Sequence, residues 1–323
     1  ASAVLSALVV KGSFFLVLRL WFDVIPGLPG LPTATVLGVL GACAIILGNL
    51  VALGQVRLKL LVAYSTVAQI GYLFLIFPLA VGAGSGPALT AGTLQIVSHA
   101  CAKAAMFLAA GIIAYALGHD RVRDLGGIAW ALPVTVLGFA LAGLSLVGLQ
   151  PSGGYLVKAL LQSAADLTGQ GAWSLVPLAG GLLTAAYLVR VLACALSGPR
   201  PSLVQGPSRP QEWLVLALAL ASLLLGLLPP EVFGLIGVGR QDLDTAALVV
   251  GALASAWTWD SLTGSIAPVL GIAALVLLLK RQGLPTAGLI VTRTDAALRQ
   301  WAIAGLSLLT LTLGLAAGIA LGR

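Results

Sequence analysis

One stretch, PALTAGTLQIVSHACAKAAMFLAAGIIAYAL at 87–117, constrains the fold of this chain more than any other. It contains no carboxylate, yet His99 and Lys103 stand in its middle. At 1.5 Å per residue, a helix of that length measures about 45 Å, against a hydrocarbon core of roughly 30 Å. The stretch must therefore tilt strongly or break, and a break is expected where the charged residues are. The i, i+4 spacing puts His99 and Lys103 on one helical face. A lysine at mid-bilayer costs about 2.5–3.5 kcal/mol to insert, so it requires a partner or water. That combination points to an ion path.

Composition extends the membrane reading to the whole chain. Hydrophobic residues make up 59%, charged residues 8%, and the mean hydropathy is +1.08. Soluble domains carry about 25% charged residues, which excludes a soluble core of this make-up. The net charge of +7 does not mark a nucleic-acid binder, because the basic residues fall singly or in pairs between apolar runs. Cys43, Cys101 and Cys194 lie far apart inside such runs and form no metal or disulfide pattern, so they read as packing residues. With only two histidines, no GxGxxG after a strand and no phosphate-binding GxxxxGK[ST], neither metal nor cofactor is expected. The opening ASAVLSALVVKG lacks an initiator Met, a basic leader and a cleavage signature. It reads as the middle of a membrane helix, with a further N-terminal portion expected beside it.

Taken in order, the chain predicts an all-α polytopic bundle. Spans are expected over 3–21, 33–53, 60–79, 87–117, 131–165, 173–196, 213–228, 262–279 and 301–321. The series Pro26, Pro29 and Pro32 ends the first span in a rigid loop, and Pro151-Ser-Gly-Gly interrupts 131–165. The bundle should thus contain about nine spans and two broken helices. The segment 245–259, ending in Trp257 and Trp259, is too short to cross and reads as interfacial. Alternating loops then place Arg57, Lys59, Arg121, Arg123, Arg200, Arg209, Lys280, Arg281, Arg293 and Arg299 on one side. Only Arg240 and Arg323 fall on the other. The positive-inside rule makes the basic side cytoplasmic, and the expected setting is a bacterial-type plasma membrane.

Removing the loop residues leaves Lys11, Lys103, Lys158, Arg190 and titratable His99 at membrane depth. Arg190 and Arg19 lie near interfaces, where long side chains snorkel. The lysines read either as snorkelling or structural groups, or as a row of bases that exchange protons. Burial disfavours the charged form of a lysine, and a histidine one turn away can hand protons on. Lys158 and Lys103 lie on helices expected to break, where freed backbone groups bind water. Lys59, at the membrane edge, divides between a positive-inside anchor and a group taking up protons.

These pieces together resemble a known family. The matching segments are ASAVLSALVVKGSFFLVLRL, GQVRLKLLVAYSTVAQIGYLF, VSHACAKAAMFLAAG, DRVRDLGGIAWALPVT, LSLVGLQPSGGYLVKALL and AAYLVRVL, in that order over 1–197. They resemble the antiporter-like, proton-translocating subunits of respiratory complex I, membrane-bound hydrogenases and multisubunit cation/proton antiporters. The resemblance implies two inverted five-helix repeats, each with a broken helix and a buried lysine or glutamate. It assigns 1–21 to the last helix of the first repeat, 33–197 to the whole second repeat and 211–323 to additional C-terminal helices. It places the linking lysine at Lys11, the His-x-x-x-Lys pair at His99 and Lys103, and the terminal lysine at Lys158. Gln150-Pro151 and Gly154-Tyr155 stand where the family usually has Pro-Pro and Gly-Phe.

The resemblance implies a proton-translocating subunit without a catalytic centre or cofactor, serving an NADH-quinone oxidoreductase-like or hydrogenase complex. Homologous membrane subunits and the first repeat would be its partners within the lipid bilayer. The alternatives are a cation/proton antiporter or carbon-uptake subunit without a redox partner, and a structural membrane anchor. The loop 281–298 is too short for the long lateral helix of the largest complex I member.

Overall fold

A computed structural model of the chain describes residues 2–24, 31–80 and 85–227, together with 266, 270, 271 and 274. Eight principal helices form the bundle: α1 Val10–Arg19, α2 Leu31–Gly54, α3 Leu58–Phe74, α4 Ser85–Leu117, α5 Pro133–Val147, α6 Gly153–Leu167, α7 Leu175–Ala195 and α8 Arg209–Leu224. Among the described residues there is no strand, only an isolated bridge between Arg57 and Arg121. Among the described residues six helices are long and apolar enough to cross a membrane: Ser2–Phe22, Pro32–Gly54, Leu58–Leu79, Gly86–Leu117, Gly171–Ala195 and Arg209–Leu227. The expected spans at 262–279 and 301–321, and the interfacial segment 245–259, lie outside the described residues.

The central element is α4, which packs against α3, α5, α6 and α8 and against the segment preceding α1. It runs unbroken for 33 residues, so the interruption expected at His99 and Lys103 does not occur. The reason is local. From Gln95 to Ala105 the chain has neither proline nor glycine, and several of its residues are alanine, the best helix former. At about 50 Å, α4 exceeds the hydrocarbon thickness and is accommodated by tilt or overhang.

The stretch 131–165 divides as its sequence predicts, although α5 and α6 are each only 15 residues. Pro133 starts α5 in its first turn, where a missing N–H costs nothing. Gly148, with φ +85, ends it in the left-handed conformation and donates its N–H to the carbonyls of Leu144 and Ser145. Ser152 then caps α6, its Oγ accepting the Tyr155 N–H at 3.2 Å.

Helices α2 and α3 meet closely because small residues face each other. A Cβ on Gly41 would fall 2.7 Å from the Gly71 carbonyl oxygen, and one on Gly48 would fall 2.7 Å from the Ala68 nitrogen. At the α2–α3 turn, the Leu58 N–H donates to Asp120 O at 2.7 Å and the Val122 N–H to Val56 O at 2.8 Å, pinning the loop after α4.

Candidate functional site

The apolar interior forms two separate cores. Along α4, Leu94 belongs to one and Ala102 to the other; along α3 the corresponding pair is Tyr72 and Val62. Between those residues lie Gln95, Ser98 and His99 on α4, and Ser65, Thr66 and Gln69 on α3. All are buried. The same transition places Asn49 between Ile45 and Ala52 on α2, and Ser222 between Ala219 and Leu225 on α8. Lys11 falls at it too, just before Phe14. A belt of buried polar side chains therefore crosses the bundle between two apolar layers. In lipid, such groups are costly unless hydrogen-bonded within the protein.

Lys11, His99 and Lys103 converge in this belt. Lys103 is fully buried, its Nζ donating to Ser65 Oγ and, at 3.2 Å, to the Val62 carbonyl. That carbonyl also accepts Ser65 Oγ at 2.9 Å and Thr66 Oγ1 at 3.1 Å. Thr66 Oγ1 lies 2.9 Å from Ser6 Oγ, and the Ser6 carbonyl accepts Lys11 Nζ. Lys11 is thereby joined to Lys103 through Ser6, Thr66 and Val62. His99 lies within electrostatic reach of both lysines. It is fully buried, and neither ring nitrogen has a hydrogen-bond partner among the described residues. The segment Leu5–Val9, immediately before Lys11, is wound as a π-helix, a local distortion frequent at functional sites.

Lys158 stands apart from that trio. Its Nζ donates to the Val147 carbonyl across the α5–α6 break and lies 5.6 Å over the Tyr72 ring. Between Lys158 and α4 there is a small cavity of about 10 Å³, lined by Gln69, Gln95, Ser98, Ser145 and Lys158 among others. Gln95 Nε2 donates to Gln69 Oε1 at 3.1 Å and to the Gln69 carbonyl at 3.2 Å, joining α3 to α4 at its wall. On the opposite flank, Thr184 Oγ1 donates to Gly180 O at 2.7 Å and stands 3.2 Å from Asn49 Oδ1.

Lys59 lies outside the belt. It is exposed and lines a separate cavity of about 610 Å³ together with Ser2, Phe107, Tyr115, Ser208 and Gln211. Arg190 is largely buried and donates through Nη1 to the Leu53 carbonyl at the end of α2. At the α2–α3 turn, Arg57 Nε donates to Asp120 Oδ1 at 2.9 Å. Among the described residues no group of three or more His, Cys, Asp or Glu side chains stands together.

The residues that sequence reasoning missed are the neutral polar ones. Ser65, Gln69, Gln95, Ser145, Thr184 and Ser222 are inconspicuous in apolar helices until the helices meet. Only the AYSTVAQIGY run in α3 carried a visible polar signal.

Residues 1–184 match the family model described as "NADH:quinone oxidoreductase/Mrp antiporter, TM". The chain belongs to this family. NADH-quinone oxidoreductase subunit N of Desulforudis audaxviator is 35% identical over 202 residues, 62% of this chain and 40% of that protein. A probable K(+)/H(+) antiporter protein of Rhizobium meliloti is 30% identical over 239 residues, 71% of this chain and 23% of that protein. The chain therefore spans less than half the length of either relative. The Mrp complex from a Dietzia species contains a chain of the same fold, with a TM-score of 0.64, 24% identity and coverage of 83% of this chain and 55% of that one. Respiratory complex I from Thermus thermophilus with bound aureothin aligns at TM-score 0.51 and 26% identity, over 62% of this chain and 45% of that one. This family member is an antiporter-like membrane protein of the complex I and Mrp type. The matched region ends before α8, so Ser222 lies outside it.

Proposed function

We propose that the chain is a proton-translocating membrane subunit of a complex I-like, redox-driven assembly. Protons move along Lys11, His99 with Lys103, and Lys158. The observation that carries this reading is His99, fully buried with both ring nitrogens unpartnered among the described residues, within electrostatic reach of two buried lysines. A buried structural histidine ordinarily has its nitrogens satisfied, and an imidazole within reach of two amines can exchange protons with them.

In this reading 1–21 closes a first repeat, 33–197 is the second and 211–323 supplies the C-terminal helices. Helices α5 and α6 are halves of one discontinuous span, with Lys158 beside the break. Lys59 takes up protons at the edge, the basic loops face the cytoplasm, and the first repeat with homologous membrane subunits completes the assembly in a bacterial-type plasma membrane. The likeness to an Mrp complex and to a K(+)/H(+) antiporter protein supports a second reading, in which the same row serves cation/proton exchange without a redox partner. A structural anchor is the weaker alternative, because it gives the open histidine nothing to do.

The test is Lys103→Ala and Lys158→Ala in the intact complex, with proton movement measured in sealed vesicles. Loss of translocation with assembly retained is expected, and normal translocation in either variant removes that lysine from the row. Dependence of the flux on quinone reduction selects the redox-driven reading, and dependence on sodium or potassium alone selects exchange.

A further inference from the structure

Three buried serines on three helices form one hydroxyl cluster. Ser222 Oγ of α8 lies 2.7 Å from Ser145 Oγ of α5 and 3.1 Å from Ser98 Oγ of α4, and it donates to the Ser98 carbonyl at 3.0 Å. This is unusual usage. A serine or threonine within a helix ordinarily turns its hydroxyl back on its own preceding turn, as Ser65 does to Val62 O and Thr184 to Gly180 O. A hydroxyl has one proton and two acceptor sites. With its proton committed to the Ser98 carbonyl, Ser222 accepts from both Ser145 and Ser98. Each of those two then keeps its own lone pairs for another donor. Both line the cavity of about 10 Å³ whose remaining polar walls are Gln69, Tyr72, Gln95 and Lys158. A space of that size, with several polar partners, holds one water.

We propose that the serine cluster is the seat of a single relay water between the Lys103 side of the belt and Lys158, and that Ser222 is its positioning residue. The inference rests on the proton-translocating reading and adds a step to it. The water donates one O–H to a serine of the cluster and the other to the neutral Lys158 amine, and turns a free lone pair toward the incoming proton. As it gains that proton, it releases another to the neutral Lys158 amine, so the water is unchanged and charge is conserved. Without the Ser222 hydroxyl, Ser145 keeps only the Ser222 carbonyl at 3.4 Å, while Ser98 loses its acceptor and turns its proton into the cavity. Ser98 then competes for the water's lone pairs and misorients the relay.

The experiment uses the whole complex in vesicles, with Ser222→Ala, Ser222→Thr and Ser145→Ala beside Lys103→Ala and Lys158→Ala. Ser222→Ala should slow translocation about two- to tenfold, the loss of one aligned hydrogen bond, and enlarge the solvent deuterium isotope effect. Ser222→Thr, which keeps the hydroxyl, should restore both. The proposal is overturned if both alanine variants translocate at the wild-type rate with an unchanged isotope effect while the lysine variants are inactive. A slowdown that leaves the isotope effect unchanged and that Thr does not relieve also overturns it, because that is a packing defect. If the Ser222→Ala complex does not assemble, Ser145→Ala decides on the same two readouts. Normal translocation in the lysine variants would instead refute the underlying proton-translocating reading.

Discussion

Gly154→Ala perturbs the α5–α6 break with no change of charge, so it isolates the geometry of the site. A Cβ at Gly154 would lie 1.9 Å from the Ser145 carbonyl oxygen, whereas real Cβ contacts essentially never fall below 3.0 Å. The difference, 3.0 − 1.9 = 1.1 Å, is the least by which α6 must withdraw from α5. The obstacle is backbone, so no rotamer change relieves it. Overpacking of this kind costs about 1–3 kcal/mol. The displacement carries Lys158 with it, because residue 158 follows 154 at i+4 on the same face. Its hydrogen bond to Val147 O spans the same gap, and Gly154 itself lines the small cavity. A misplacement of about 1 Å at a reacting centre can cost about 10²-fold in rate.

The expected outcome for Gly154→Ala is an assembled complex with a Tm lower by a few degrees and proton translocation in vesicles reduced by one to two orders of magnitude. Gly171→Ala is the control, because a Cβ there meets open space. Wild-type Tm and translocation in Gly154→Ala would refute the claim that the α5–α6 contact sets the position of Lys158. Equal losses in Gly171→Ala would show the effect to be nonspecific.

Lys103→Met keeps most of the side chain's volume and removes a buried ammonium, so the complex should melt no lower than wild type while translocation is lost. A drop in Tm matching that of Gly154→Ala would instead make the lysine structural. Ser152→Ala deletes the acceptor of the Tyr155 N–H and should cost about 1 kcal/mol, read as faster amide exchange over 153–156; unchanged exchange would show that the cap contributes nothing. Arg57→Ala strips the buried Asp120 carboxylate of its 2.9 Å partner, at about 1–3 kcal/mol. Limited proteolysis should then cut within 118–126 sooner than in the wild type, and an unaltered digestion pattern would count against that pin.

The helical class, most of the spans and the lysines inside them were legible because they are properties of single segments. An apolar run between short loops announces a membrane helix, and a lysine inside it stands out against a composition with few charges. Pro151 and its glycines announced the α5–α6 interruption for the same reason. The continuity of α4 was not legible. The length of 87–117 demands strong tilt or a break at the charged residues, and Ser65 and Val62 of a neighbouring helix give Lys103 two acceptors within an unbroken helix. The π-wound segment before Lys11 has no proline or glycine to signal it. The polar belt was invisible for a further reason. Asn49, Gln95, Thr184 and Ser222 are each the kind of lone polar residue that any apolar helix carries, and only tertiary registration puts them between the same two cores.

That registration explains how the belt tolerates cations with no acid beside them among the described residues. Lys11, Lys103 and Lys158 each donate to a main-chain carbonyl, of Ser6, Val62 and Val147 respectively. Two of these carbonyls come from irregular backbone: Ser6 lies in the π-wound segment and Val147 is the last residue of α5. Carbonyls at helix ends lack intrahelical donors and are available to side chains. On the proposed function each of these lysines changes its charge, and the choice of acceptor then matters. A buried carboxylate beside a lysine favours the ammonium, and breaking such a pair costs about 3–5 kcal/mol, which would trap the proton. A carbonyl accepts an N–H from the ammonium and from the neutral amine alike. Both protonation states therefore remain hydrogen-bonded, and the difference between them is left small enough for a neighbouring charge to decide. Placing an aspartate at Ser65, in reach of Lys103, should accordingly leave the complex assembled but stop translocation, because it fixes Lys103 as the ammonium; undiminished translocation in Ser65→Asp would refute the argument.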